Sequence, residues 1–345
     1  MTSRLTILLT LLPLTICFVQ PVRAQSTNPS ATPIPADQDI SHEGRWRRAI
    51  ENDLVNEKFD DLDRLAETYR RDKTRLPGGD WALHAFYGTL DSPQLTDKDS
   101  VDHLAHLRKW MELRPESITA RVALATSLHR WAWVARGNGF ANTVTPEGAR
   151  LFHERSQEAQ IILDGSRDMK TMCPQWYSQM LAVGVAEGWD VPRMREIFER
   201  GVQFEPGYQY LYEQFAYAIL PKWYGQPGDA AKFAKTSADR LGGDTGDIMY
   251  FEIATNLIRR GNGDFPVHEM DWERIQRGFQ GVIAQYGSSR RIQNEFAFMA
   301  YKYKDTDVAR QQFASIGDDW ATGVWRDRQF FDRARDWATG HTSWP

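Results

Sequence analysis

From residue 41 to the C-terminus, apolar residues recur at α-helical spacing, and no stretch alternates as a strand would. Trp46, Ala49, Ile50 and Leu54 form one stripe, and Leu62, Leu65, Ala66 and Tyr69 another. The clearest is Met194, Ile197, Phe198, Gly201 and Val202, a set that shares one helical face. Gly and Pro, which end helices and turn the chain, fall at 76–79, 114–115, 137–145, 205–207, 221–228, 242–246 and 261–266. This punctuation predicts about 14 helices joined by short connections, an all-α protein.

Internal similarity predicts how the helices stack. Arg193–Pro206 resembles the second helix of a tetratricopeptide repeat, with Phe198 and Gly201 preceding a closing Pro206. The small residue admits a neighbouring helix, and the proline stops its own. A large residue followed by a small one marks the first helix, as in Leu124-Ala125, Leu181-Ala182 and Phe215-Ala216. The expected architecture is a right-handed α-solenoid of degenerate tetratricopeptide-like helix pairs over 41–345.

Arg121–Ala125, Trp133–Phe140, Leu220–Asp229 (LPKWYGQPGD), Val308–Gly317 and Val324-Trp325 resemble an uncharacterised bacterial family of tetratricopeptide-like domains. That resemblance implies a helical-repeat fold and lends no catalytic residues.

Residues 1–24 read as a secretory signal, with Arg4 ahead of an apolar stretch and Val22-Arg23-Ala24 at the cleavage site. A lipoprotein signal at Cys17 fits poorly, because Ile16 stands where a small residue is needed. Residues 25–40, with Pro29, Pro33 and Pro35, read as a disordered Pro/Ser/Thr linker. The mature chain is therefore expected to be periplasmic or secreted, with no membrane span. Cys173 is then its lone thiol, and it reads as a small buried residue rather than a nucleophile. A formal charge of −4 argues against nucleic acid as a partner.

Catalytic patterns are mostly missing. His153-Glu154 lacks the second histidine of a zinc protease, and His103 with His106 lacks a third ligand. Asp60, Asp61 and Asp63 read as a helix start, where acidic groups complement the dipole. No phosphate loop, dinucleotide turn or nucleophile elbow occurs, so neither a cofactor nor a metal is expected.

The sequence holds 13 Trp and 17 Phe, and several rings fall near corresponding helix ends. Trp131, Trp133, Arg136, Asn138 and Phe140 close one helix and open a loop; Trp176 and Tyr177 begin a later helix; Lys222, Trp223, Tyr224 and Asp229 lie in a third segment. In stacked repeats such positions gather along one edge, where they would form a groove for a protein or peptide. The same rings also suit packing between degenerate repeats. The leading expectation is a non-enzymatic interaction module that grips a peptide, protein or envelope component. A hydrolase using Asp229, Glu187 or Asp190 and a structural subunit of an envelope assembly are the alternatives.

Overall fold

The helical period is realised as fifteen α-helices among the residues that the computed structural model describes, 43–343 apart from 92–96, 138, 140 and 261–265. The signal (1–24) and linker (25–40) assigned from sequence lie outside the described residues. The helices are α1 (Glu43–Val55), α2 (Phe59–Asp72), α3 (Ala82–Leu90), α4 (Asp97–Leu113) and α5 (Ile118–Arg136). Next come α6 (Pro146–Asp164), α7 (Pro174–Ala186), α8 (Val191–Phe204), α9 (Gln209–Ala218) and α10 (Asp229–Leu241). The chain ends with α11 (Gly243–Arg260), α12 (Trp272–Tyr286), α13 (Arg290–Tyr303), α14 (Thr306–Ile316) and α15 (Arg328–Ala338). Among the described residues the only β-type pairing is an isolated bridge between Arg75 and Trp81, and no helix is long and apolar enough to cross a membrane.

Local chemistry sets the starts of the helices. Ser117, Thr145, Asp190, Asp271, Ser289, Asp305 and Asp327 each accept a hydrogen bond from the backbone N–H three residues on. Each thereby satisfies a donor that the first helical turn leaves unpaired. The break expected over 242–246 narrows to one residue, because α11 already begins at Gly243. Gly242 takes a φ of +70°, which lets the chain reverse without a longer loop.

Consecutive helices pack together except α3 and α4, and the alternate helices α3, α5, α7, α9, α11 and α13 also touch in succession, a repeat-like architecture. Gly201 on α8 shows what such packing demands. A Cβ there would lie 2.8 Å from the Leu211 side chain and 2.9 Å from Tyr177 Cβ, so only hydrogen fits. Leu124, Ala125 and Leu181 are fully buried, as the large–small pattern requires. Trp81, Trp110, Trp176 and Trp325 are the largest fully buried side chains, so much of the ring content serves the core. Cys173 is likewise fully buried at the start of α7, its Sγ 3.5 Å from the Tyr87 hydroxyl.

The segment between α2 and α3 is tied to helices far along the chain. Arg75 donates to Gln209 Oε1 at 2.6 Å and to the Gly207 carbonyl at 2.9 Å, and its guanidinium lies 4.1 Å from the Trp81 ring centre. Tyr210 Oη donates to Asp80 at 2.9 Å, and Arg291 donates to the same carboxylate at 2.7 Å. Gly78 N–H reaches the Gly287 carbonyl at 3.2 Å. Residues 75–81 therefore bridge α9 and α13, and they form part of the wall of a cavity.

Candidate functional site

The sequence-assigned aromatic residues divide into two groups. Trp133 and Trp223 meet edge to face at 5.9 Å, and Tyr217 packs on Trp223 at 5.8 Å. Arg136 lies 5.2 Å from the Trp133 ring centre, and Lys222 lies 5.0 Å from that of Tyr217 while donating to the Arg260 carbonyl at 2.7 Å. Trp133, Arg136, Lys222 and Trp223 are thus brought to one aromatic edge. Trp131 is stacked under Arg155, whose guanidinium is 3.3 Å from its ring centre. Trp176 and Tyr177 are core residues: the Trp176 indole N–H donates to the Leu163 carbonyl, and Tyr177 packs on Phe204. Tyr224 donates to the Val185 carbonyl at 2.7 Å and ties its loop to α7, while Asp229 accepts from Gln226 N–H at 2.8 Å within its own segment. Asn138 and Phe140 lie outside the described residues.

Most groups at this edge are satisfied. Trp133 Nε1 donates to His129 Nε2 at 3.0 Å, and burial holds the His129 imidazole down at about 3, with Arg260 and Arg130 adding to the effect. His129 is therefore neutral, and the hydrogen bond it accepts places its own proton on Nδ1. That Nδ1 and Trp223 Nε1 are the buried polar atoms of the edge without a partner.

The other carboxylates proposed from sequence act locally. Asp190 caps α8, and Glu187 faces His153 at 3.5 Å, its carboxyl raised by burial against the pull of that histidine.

A polar cavity lies elsewhere, among the alternate helices. Its volume is about 530 Å³, within the range of small-ligand sites. His84 and Gly88 of α3, Ser178 of α7 and Tyr210, Glu213 and Gln214 of α9 form one side. Glu252, Thr255, Asn256, Arg259 and Arg260 come from α11, and Arg291 and Glu295 from α13. Arg47 and Asp80 complete the wall. A second cavity of about 720 Å³ shares Arg47, Asp80, Ala85 and Arg291 with the first.

The charges here are unevenly paired. Arg291 bridges Asp80 and Glu295; burial works against its charge, but Asp80, Glu295 and Glu252 hold the guanidinium well above its ordinary range. Glu213 accepts from Asn256 Nδ2 at 2.9 Å. Burial pushes its carboxyl up to about 7; Arg259 and Arg291 oppose the rise, while Asp80 and Glu295 add to it. Glu252 is only 4% exposed, and its carboxyl has no hydrogen-bond or ion-pair partner among the described residues. Burial drives that carboxyl well above the usual carboxylate range despite Arg291. Asn256 Oδ1 is buried and unpartnered as well. Arg260 donates to Gln214 at 3.0 Å and stacks on Tyr217 at 3.6 Å, with no carboxylate of the described residues in ion-pair range. It joins the cavity to the aromatic edge.

Sequence reasoning missed this site, although a signal was present. Glu252 precedes Ile253-Ala254 and Glu295 precedes Phe296-Ala297, each an acid beside the large–small pair of an otherwise apolar helix. An acid in that register faces neighbouring helices rather than water.

The described residues thus define an all-helical, repeat-like protein with a charged internal cavity. Residues 47–162 match a family described as a domain of unknown function, DUF4034. The matched span runs from α1 to α6, and Leu220–Gly225 lies beyond it. No curated protein matches the chain. Among the described residues no group of three or more His, Cys, Asp or Glu could hold a metal ion.

Proposed function

We propose that the protein is an exported tetratricopeptide-like interaction module, a right-handed stack of helix pairs that binds a peptide in the cavity facing α9, α11 and α13. The observation that carries this reading is Glu252, a residue only 4% exposed on the cavity wall whose carboxyl has no hydrogen-bond or ion-pair partner among the described residues. On the same helix Asn256 Oδ1 is buried without a partner among the described residues. Leaving such a group unsatisfied costs about 1–3 kcal/mol, so a ligand that supplies the missing donor recovers that energy on binding. The cavity volume suits a short chain segment better than a folded protein surface.

Gly88 supplies a clean test. It lies on α3 at the cavity wall, and a Cβ there would meet no heavy atom within 4 Å. Gly88→Trp should fill the cavity while the fold stands. Native mass spectrometry of the wild type with a mixture of di- to tetrapeptides should show adducts that Gly88→Trp abolishes. Equal adducts on both proteins would overturn the cavity reading. Export is tested by cell fractionation and by a mature N-terminus at Gln25; a chain retained in the cytoplasm would overturn it.

Hydrolysis is the second reading, favoured by the different environments of Glu213 and Glu252. A carboxyl that stays protonated near neutral pH can act as a general acid. Loss of intact peptide on incubation with the wild type, abolished in Glu252→Gln, would establish it. Peptides recovered unchanged would leave a binding module.

A further inference from the structure

The polar groups of α11 are ordered along one face. Glu252, Asn256, Arg259 and Arg260 stand at i, i+4, i+7 and i+8, and all four line the cavity. Along the helix axis the backbone rises about 10 Å from Glu252 to Arg259 and about 12 Å to Arg260, at 1.5 Å per residue. At the acid end, Glu213 from α9 joins Glu252, and neither carboxyl has an ion-pair partner among the described residues. At the other end, Arg260 has only the Gln214 amide and the Tyr217 ring, and Arg259 has only a long contact of 3.9 Å to Glu295. Asn256 Oδ1 lies between them as an unused acceptor.

Building on the cavity reading, we propose that the ligand is a short peptide of two or three residues with both termini free. Its ammonium sits between Glu213 and Glu252, a backbone N–H reaches Asn256 Oδ1, and its carboxylate meets Arg260 and Arg259. An extended chain covers about 3.3–3.6 Å per residue, so three residues span about 10–11 Å, comparable with the backbone rise between these helix positions. Arg259 and Arg291 already act on these carboxyls from beyond ion-pair range, and each end of the ligand supplies the close charged partner that the described wall residues do not. A guanidinium can also fork to a terminal carboxylate, which a lysine could not do.

The test measures affinities by calorimetry for trialanine, N-acetyl-trialanine, trialanine amide and the doubly blocked peptide. Free trialanine should bind, and blocking either end should weaken binding about tenfold or more. Glu252→Gln keeps the side-chain shape and leaves Glu213 in place, and it should reduce the penalty for N-acetylation. Arg260→Met leaves Arg259 in place and should reduce the penalty for amidation; penalties unchanged from the wild type would overturn the proposal. Circular dichroism of both variants confirms that they fold. If doubly blocked peptide binds as tightly as the free form, and Gly88→Trp abolishes that binding, recognition of the ends is refuted while the cavity reading stands. If only longer peptides bind within the cavity, the ligand length proposed here is wrong. If no peptide binds at all, both readings fall.

Discussion

The aromatic edge and the charged cavity are both built on α9 and α11, and Arg260 belongs to each, yet their groups are satisfied in different ways. At the edge, Trp133, Trp223 and Tyr217 pack ring against ring, and the cations lie over rings or on carbonyls. Among the described residues, two buried N–H groups there, on His129 and Trp223, are left without an acceptor. In the cavity, again among the described residues, the Asn256 amide oxygen is buried unmet, the Glu252 carboxyl has no hydrogen-bond or ion-pair partner, and no carboxylate lies closer than 3.9 Å to the Arg259 or Arg260 guanidinium. Aromatic density therefore marks cohesion in this molecule, and unpaired charge marks the place where something else is expected to bind.

Four variants would sharpen or break that contrast. The largest effect is expected of Arg291→Met, which strips the shared partner from Asp80 and Glu295 and releases residues 78–80 from α13. Removing one member of a largely buried charge network should cost about 3–4 kcal/mol in urea unfolding. A loss under about 1 kcal/mol would mean that the charges are solvated and the cavity open to water.

Glu213→Gln tests the acid end through pH. The folded carboxyl titrates at about 7 against an ordinary value of 4.5. Between those values the native state keeps a proton that the unfolded chain has lost, so wild-type stability falls as pH rises through that window. The variant has nothing to ionise. It should exceed the wild type by roughly 2–3 kcal/mol at pH 8 and match it near pH 4. Parallel pH profiles for the two proteins would show that Glu213 is ordinary and solvated.

Trp223→Ala should remove about 2 kcal/mol of stability, less than for a fully buried ring, because Trp223 is half-buried. Peptide affinity should be unchanged, whereas a parallel loss of binding would move the site to the aromatic edge. The smallest effect is expected of Gly88→Ala. A helical glycine with open space around its Cβ should gain about 0.5–1 kcal/mol in thermal unfolding. A loss would mean that the cavity wall is tighter than the geometry indicates.

Much of the fold could be read from periodicity and punctuation, because both are local. The stripe Met194, Ile197, Phe198, Gly201 became the buried face of α8, and Pro206 fell in its turn. The aromatic edge was half-legible. Trp133, Arg136, Lys222 and Trp223 converge because they sit at corresponding helix ends, while Trp176, one turn into α7, points into the core. The cavity depended on contacts that no local pattern encodes: Arg75 reaches residue Gln209, and Arg291 reaches back to Asp80. Its acids were nonetheless written into the apolar stretches around Glu252-Ile253-Ala254 and Glu295-Phe296-Ala297.

The most direct test is where a bound peptide lies in a crystal structure of the complex. Density bounded by Glu252, Asn256 and Arg260, with the amino end toward Glu252, is the expected result. Density laid across Trp133 and Trp223, with the cavity unchanged, would contradict the account.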